Sequence, residues 1–375
     1  SLIMNVFYNS IIYYFYLNIA LISILGYCTL VLNYINFKNK KFLKTTDYFL
    51  SGLIFVGTIS ITYNYFYKIN DIYTLSIIFF GFLIFIRNYP ILFGKFLNIF
   101  KPLILVTFFA FVFSFYAGVN DDYEYHFNTI INFKTLNLFE IPHHRMISYN
   151  SHWLFLTSVF LISELYLGLF ILTSLLYCLL IYDLFLILKE SNSKSQYSIS
   201  VFILFSIVFL LGVINIYKDF GTDIPGVLIS ILIIIKLFQL SENINKVKTD
   251  YIYYLILLSN FVIMIKLTNS LIIFYLVSFI LISKIKIKKF INYKFLLALI
   301  PLVLWFFQNI NISGCLIWPI STLCFFNSAD PKNELYMIQA FAKGDQGTSI
   351  SLSGFKWISI WFENHFTKIL EIYGV

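Results

Sequence analysis

The chain has 375 residues, of which 60% are hydrophobic, 21% aromatic and only 12% charged, and its mean hydropathy is +0.84. A water-soluble domain needs polar side chains over most of its surface, so this composition excludes a soluble fold and predicts a polytopic membrane protein. The apolar runs are continuous rather than alternating, which excludes a β-barrel. The net charge of +8 comes from lysines in short loops, where membrane orientation and contact with anionic lipid explain them better than nucleic acid does.

Long apolar runs recur along the chain and alternate with short polar loops. Runs of about 17 to 25 residues are long enough to cross a bilayer as helices, so the sequence predicts an all-α bundle of about ten transmembrane helices. In chain order, the predicted spans are 11–35, 48–67, 72–86, 103–116, 166–188, 197–217, 224–240, 251–265, 271–282 and 295–310. The apolar stretch 153–188 is too long for one crossing, so we expect a short interfacial helix at 151–163, within or across the outer leaflet.

Lysine-rich loops alternate with acidic loops between these spans. The basic loops are 37–44, 87–101, 189–194, 246–248 and 284–294, and all of them fall on one side of the predicted bundle. The positive-inside rule makes that side cytoplasmic, so the acidic loops face outward. We therefore expect an integral protein of a bacterial inner membrane whose functional site faces the periplasm or the exterior.

The predicted bundle covers residues 1–312, with the external loop 118–153 as its catalytic segment. Residues 313–375 are expected to lie outside, on the membrane surface, where tryptophans can anchor them. Cys315 and Cys324 fall on that external side, which allows a disulfide between them. The chain ends at Gly374-Val375 without a polar tail, so we expect a fragment, with further spans after this segment in a longer protein.

The loop 118–153 carries a concentration of acidic side chains. Asp121, Asp122 and Glu124 follow a span directly, so we expect them at the outer membrane surface. A partly desolvated carboxylate there can act as a base or as a ligand, whereas the alternative is an ordinary solvated loop. A divalent cation, Mg²⁺ or Mn²⁺, is compatible with these acids but is not required by the sequence, and the cofactor stays unknown.

Polar donors and aromatic rings gather later in the same loop. They are His143, His144, Arg145, Asn150, His152 and Trp153. Arg145 suits a bidentate grip on phosphate or carboxylate. His152 can instead cap a helix, and Trp153 can anchor the chain at the membrane interface. His143 and His144 are adjacent and have no third ligand, which disfavours a zinc site.

A third polar group is the external loop with Lys218-Asp219 and Thr222-Asp223, and Lys266 is a separate candidate later in the chain. Asp219 and Asp223 form a second acidic site that a divalent cation or a sugar hydroxyl can bridge to the first, although Asp223 can equally be a helix N-cap. Lys266 stands beside Thr268 and Asn269 at the outer end of its span. It either extends to the interface without function or meets a phosphate group.

Short motifs in this region resemble those of the GT-C class of integral-membrane glycosyltransferases, and among these an uncharacterised bacterial family. The motifs are Asp-x-x-x-Tyr-His at 121–126, His-x-Arg at 143–145, Asn-Ser-x-Trp at 150–153, Ser-Gly-x-x-x-x-Pro at 313–319 and Ile-x-x-(Trp/Phe)-Ala at 338–342. The resemblance covers most of residues 121–361. It implies a GT-C-like fold and use of polyprenyl-phosphate-linked sugar donors.

The resemblance implies that Asp121 is the general base and that Asp122 is its helper or a metal ligand. The expected substrate contacts are Glu124, Tyr125, His126, His144, Arg145, Asn150, His152, Trp153, Asp219, Asp223 and Lys266. The expected partners are a lipid-linked sugar donor, an acceptor that is a glycan, a lipid or a protein, and membrane lipids, without nucleic acid.

Together these observations predict an inverting glycosyltransferase that adds a sugar to an acceptor hydroxyl on the external face, in cell-surface glycan synthesis. One alternative is a transporter or flippase of lipid-linked sugars, which needs no base; the absence of a clear inverted repeat counts against it. Another is a polysaccharide polymerase or ligase, which relies on external arginines. The chain has only Arg87 and Arg145, and the first falls on the cytoplasmic side.

Overall fold

The computed structural model describes residues 2–35, 43–93, 97–115, 126–141, 147–163, 166–190, 196–214, 221–241, 249–283, 292–318 and 320–325. Every regular element in these ranges is a helix, and they contain no strand, so the all-α prediction is confirmed for them. Short 3-10 turns at Ile147–Tyr149, Tyr166–Phe170, Leu267–Ser270 and Ser321–Leu323 connect or end the helices.

The helices follow one another with short connections. In chain order they are α1 Leu2–Ile35, α2 Thr45–Asn64, α3 Asp71–Phe93, α4 Leu97–Phe115, α5 Asn128–Thr135, α6 His152–Phe160, α7 Ile171–Glu190, α8 Gln196–Ile214, α9 Asp223–Ser241, α10 Thr249–Ile265, α11 Leu271–Ile282 and α12 Tyr293–Ser313.

Five of these helices are long and apolar enough to cross a membrane: α1, α3, α7, α9 and α12. Shorter apolar segments lie in α4, α8, α10 and the stretch that includes α11. Large hydrophobic side chains are exposed on α3, α4, α8 and α11, for example Phe80, Phe108, Phe202 and Phe274. Exposed apolar side chains on such helices are typical of a protein solvated by lipid, and the chain is an integral membrane protein. The count of ten crossings goes beyond these five helices and stays a prediction.

Helix α2 lies in the interior and is surrounded by other helices. Small residues permit this close packing, since a Cβ atom on Gly52 would lie 2.0 Å from the Ile24 carbonyl oxygen of α1. Helices α1 and α3 approach equally closely, because a Cβ atom on Gly26 would lie 2.0 Å from the Gly81 carbonyl oxygen. Small residues at helix contacts are the usual means by which helices pack closely in membranes.

The short helix expected at 151–163 is present as α6. Ser151 is its N-cap, and the Ser151 hydroxyl accepts a hydrogen bond from the Trp153 backbone N–H at 3.3 Å. The helix ends when the backbone becomes extended at Leu161, and α7 begins only after the turn at Tyr166–Phe170. The chain therefore divides its long apolar stretch into a short helix and one long helix, as the hydropathy predicted.

The chain contains two compact units, 1–141 with 150–308 and 142–149 with 309–375. In the second unit, the described residues include the last turn of α12 and a disulfide between Cys315 and Cys324, a pairing that the sequence allowed. Gly314 has a φ of 76°, a left-handed conformation that suits glycine, and starts the loop that the disulfide closes. Backbone hydrogen bonds from Leu316 to Leu323 and from Phe325 to Gly314, both 2.8 Å, complete this loop.

Polar side chains of the first unit gather at two opposite ends of the helices. Helix α9 carries Asp223 in its first turn and Lys236 thirteen residues later, which is about 20 Å along a helix axis. We name the two ends after residues that lie there. The Asp47 end contains the first turn of α2 and Lys236, and the Lys266 end contains Asp223 and the end of α10.

Candidate functional site

The predicted site residues fall into two classes. Asp121, Asp122, Glu124, Tyr125, His143, His144, Arg145 and Asp219 lie outside the described residues. The structure describes His126, Asn150, His152, Trp153, Asp223 and Lys266. His126 is half-buried directly before α5, and α5 packs on α6 through Ile130 and Leu154 in one apolar cluster.

The Asn-Ser-x-Trp motif fixes the start of α6 against two other helices. Asn150 has a φ of 40°, a left-handed conformation that asparagine adopts more readily than most residues. Its carbonyl oxygen accepts a hydrogen bond from the indole N–H of Trp305 on α12 at 2.8 Å. The Ser151 hydroxyl donates to the Ile265 carbonyl oxygen at the end of α10, also at 2.8 Å. The motif therefore holds α6, α10 and α12 together.

Trp153 and His152 are both fully buried in this structure. The Trp153 indole N–H donates to the Thr173 hydroxyl of α7 at 3.2 Å. The ring is therefore buried between helices and is not exposed to the membrane–water interface. His152 does not cap α6, since Ser151 is the N-cap. The His152 ring packs against Phe155 and Phe261, with centroid distances of 5.7 Å to each.

The buried imidazole of His152 is held neutral by its surroundings. Neither ring nitrogen has a hydrogen-bond partner among the described residues. Burial disfavours the charged form and lowers the pKa of His152 to about 3. Gly57 of α2 makes room for the ring, because a Cβ atom there would lie 2.2 Å from the imidazole Nε2 atom. A buried polar ring without partners costs folding free energy, and its neighbours here supply only apolar and aromatic contacts.

Lys266 and Asp223 form an ion pair at the Lys266 end. The Lys266 ammonium contacts the Asp223 carboxylate, and the side chains are 39% and 62% exposed. Asp223 lies in the first turn of α9, where a negative charge interacts favourably with the helix dipole. Lys266 directly follows Ile265, whose carbonyl oxygen accepts the bond from Ser151. The structure thus brings the Asn-Ser-x-Trp motif beside the pair of Asp223 and Lys266.

A second cation at this end of the helices is buried. The Lys134 ammonium on α5 lies 2.9 Å from the Asp71 carboxylate and 2.9 Å from the Thr74 hydroxyl, and it also donates to the Leu161 carbonyl oxygen. Desolvation lowers the pKa of Lys134, and the neighbouring carboxylate of Asp71 partly offsets this. Lys134 therefore joins α5 to α3 and to the chain that leaves α6.

The Asp47 end holds a more deeply buried polar cluster. The Lys236 ammonium lies 2.6 Å from the Asp47 carboxylate, and both side chains are at most 1% exposed. The Tyr254 hydroxyl donates to the same carboxylate at 3.0 Å. Asp183 of α7 accepts a hydrogen bond from the Thr46 backbone N–H at 2.6 Å. These contacts connect α2, α7, α9 and α10 at one level of the bundle.

A family model described as Domain of unknown function (DUF8201) matches residues 9–374. The chain belongs to the DUF8201 family. No curated protein and no solved structure matches the chain. The family description assigns no activity, so the chemistry of this DUF8201 chain has to be argued from its own residues.

The sequence did not indicate a role for four charged residues that the structure buries in the described part of this DUF8201 chain. They are Asp47, Asp183, Lys236 and Lys134. Lys236 and Asp183 each stand alone in an apolar run, and a lone charge in a predicted span is a signal that could have found them. The partners of these residues could not be found in that way, since Lys236 and Asp47 are 189 positions apart.

The described part of this DUF8201 chain offers few groups of possible metal ligands. No group of three or more His, Cys, Asp or Glu side chains among those residues could hold a metal ion. Asp121, Asp122 and Glu124, the acids of the predicted site in the loop 118–153, lie outside the described residues.

Two apolar grooves open between the helices. One of about 390 Å³ lies between α4, α7 and α8 and is lined by aromatic side chains such as Phe109, Tyr177 and Phe205. The other, of about 280 Å³, lies between α1, α2, α10 and α12. Grooves of this kind accommodate hydrocarbon chains rather than polar ligands.

Proposed function

We propose that this chain is a GT-C-like membrane glycosyltransferase that moves a sugar from a polyprenyl-phosphate-linked donor to an acceptor hydroxyl, with inversion. The reaction takes place at the Lys266 end, on the periplasmic or external face of a bacterial inner membrane, in cell-surface glycan synthesis. The acceptor is a glycan, a lipid or a protein.

The observation that carries the proposal is the hydrogen bond between the Ser151 hydroxyl and the Ile265 carbonyl oxygen. It connects the Asn-Ser-x-Trp motif, which resembles the motif of a glycosyltransferase family, to Lys266, the exposed cation expected to bind phosphate. The two groups are more than one hundred positions apart in sequence. Their contact supports one site rather than two unrelated polar loops.

The topology supports an external position for that site. Ten crossings result when α1 to α4 and α7 to α12 each span the bilayer, and the lysine-rich loops then share the opposite side. The disulfide between Cys315 and Cys324 directly follows α12, and disulfides persist in oxidising compartments such as the periplasm. The positions of the lysine-rich loops agree with an external Lys266 end, and the disulfide agrees with an oxidising compartment for the segment that follows α12.

The proposed mechanism is a single displacement. Asp121 takes the proton from the acceptor hydroxyl, whose oxygen attacks the anomeric carbon as the bond from that carbon to the phosphate oxygen breaks. The electron pair of that bond leaves with the polyprenyl phosphate, and Lys266 and Arg145 stabilise its charge. The new bond forms on the opposite face of the sugar, so the configuration inverts. Asp122 orients Asp121 or holds a divalent cation.

The apolar grooves support a lipid-linked donor, because a prenyl chain needs a hydrocarbon surface that reaches the lipid phase. The groove between α4, α7 and α8 offers such a surface with exposed aromatic side chains at Phe185 and Phe209. The donor then enters sideways from the membrane rather than from water.

The test of the proposal is the Asp121→Asn variant. Its side chain keeps the shape of aspartate but cannot take the proton, so sugar transfer from a polyprenyl-phosphate sugar should fall by about 10²–10⁴-fold. Transfer is measured with the full chain in nanodiscs, and the melting temperature confirms the fold. Asp122→Asn is the matched control and should lose less. Full sugar transfer by Asp121→Asn contradicts the proposal. If the wild type transfers no sugar but translocates the lipid-linked sugar, the chain is a flippase.

A further inference from the structure

The ion pair of Lys266 and Asp223 has a consequence for how a phosphate reaches Lys266. The Lys266 ammonium is already in contact with a carboxylate in the structure. A phosphate group that binds the same ammonium has to share it with Asp223 or replace it. Two anions at one cation repel each other, so replacement is the favourable outcome.

The backbone at Lys266 is fixed while its side chain is accessible. The Lys266 N–H donates to the Val262 carbonyl oxygen at 3.1 Å, and the Lys266 carbonyl oxygen accepts from the Asn269 N–H at 3.0 Å. Ser151 holds the preceding carbonyl oxygen. The side chain remains partly exposed, so its ammonium can change partner without any movement of the helices.

The ion pair is not needed to keep α9 beside the turn that joins α10 to α11. The Asn269 side chain of this turn lies directly against Gly226 of α9, where a Cβ atom would come within 2.2 Å of the amide nitrogen, so α9 and the turn are in contact apart from the ion pair. Exposed ion pairs contribute little to stability. Asp223 also keeps its place in the first turn of α9 when it loses Lys266, and the helix dipole still stabilises its charge there.

From these contacts we infer that Asp223 is an internal competitor for Lys266, which the phosphate of the lipid-linked donor displaces when it binds. This inference rests on the proposed function and adds regulation to the same site. The carboxylate holds the lysine in a defined place between turnovers. It also weakens the binding of the released polyprenyl phosphate, because it returns to Lys266 as that product leaves.

The experiment measures the binding of farnesyl phosphate to the full chain in nanodiscs of zwitterionic lipid, by isothermal titration calorimetry at low salt. Farnesol is the control for the hydrocarbon chain. The variants are Asp223→Asn, Asp223→Glu, Lys266→Gln and the double variant Asp223→Asn with Lys266→Gln. Binding requires no sugar transfer, so this test is independent of the catalytic base.

Asp223→Asn should bind farnesyl phosphate about three- to tenfold more tightly than the wild type, because the competing charge is gone. Asp223→Glu keeps the charge and should bind like the wild type. Lys266→Gln should bind more weakly, and removal of Asp223 in that background should give no further gain. Farnesol should bind all variants equally.

An unchanged or weaker affinity of Asp223→Asn overturns the inference and leaves the proposed function intact. An equal gain in the Lys266→Gln background also overturns it, because Asp223 then acts without the lysine. If farnesyl phosphate binds to no form of the protein while farnesol binds to all of them, the phosphate group is not recognised, and this result contradicts the proposed function itself.

Discussion

The two ends of the bundle use the same pair of residue types in opposite ways. At the Asp47 end, a lysine and an aspartate meet in the interior, and the carboxylate also accepts from Tyr254. At the Lys266 end, Lys266 meets Asp223 at an accessible position. The first pair is surrounded by helices on every side, whereas the second can exchange partners with a ligand.

The two pairs have the same chemistry but differ in burial, and we expect this difference to give them different roles. A buried ion pair stabilises a protein only while both partners are present, since either charge alone is strongly unfavourable in the interior. An exposed pair contributes little to stability and is therefore available for binding. We expect the Asp47 end to lose much stability when one charge of its pair is removed, and the Lys266 end to lose little.

The largest effect is expected for Lys236→Met, which leaves the buried Asp47 carboxylate without its cation. The variant should lose about 3–5 kcal/mol of unfolding free energy, measured by thermal unfolding in detergent. Adding Asp47→Asn should restore much of this loss, because the uncompensated charge is removed. A Lys236→Met variant that is as stable as the wild type would show that the pair is not buried as described.

An intermediate effect is expected from His152 when the pH is lowered. The folded protein keeps this imidazole neutral because its pKa falls to about 3, while the unfolded chain takes up a proton below about pH 6.5. The unfolded state then binds more protons, so the unfolding free energy should fall by about 2 kcal/mol between pH 7 and pH 5.

His152→Leu removes this proton uptake and replaces the imidazole with an apolar side chain of similar length. The variant should lose less stability than the wild type between pH 7 and pH 5, and at pH 7 it should be at least as stable. Unfolding at both pH values measures the difference. A pH dependence equal to that of the wild type would mean that the imidazole has a polar partner and is charged in the folded state.

The smallest effect is expected for Lys266→Met, the same substitution as at Lys236 but at the exposed pair. It should change the unfolding free energy by no more than about 1 kcal/mol. Its effect should appear instead in sugar transfer, with a higher KM for the donor. A stability loss as large as that of Lys236→Met would remove the distinction between the two ends.

The helical architecture could be predicted from the sequence because hydropathy records contact with lipid directly. The short helix α6 and the long helix α7 were predicted from one apolar stretch, and the structure has both. The positions of Cys315 and Cys324 allowed a disulfide, and the structure has one. These features depend on local composition, which the sequence shows without knowledge of tertiary contacts.

The partners of charged residues could not be predicted, because they depend on helix packing. Asp47 lies next to a basic loop, as expected of an ordinary residue at the start of a span, yet its cation is Lys236 of α9, 189 positions away in sequence. His152 and Trp153 belong to a polar segment of the sequence, and their complete burial depends on helix packing that the local sequence does not show. Asp223 and Lys266 were predicted at the same end of the bundle, and the structure places them in contact as an ion pair that the sequence did not specify.

The central claim is that a lipid phosphate binds to Lys266 at the Lys266 end. The most direct measurement is a cryo-EM structure of the full chain in nanodiscs with bound farnesyl phosphate. The account predicts phosphate density at the Lys266 end, within about 3–4 Å of the Lys266 ammonium and with the Asp223 carboxylate turned away. Phosphate density at the Asp47 end, or at any position that leaves the contact between Lys266 and Asp223 intact, would contradict it.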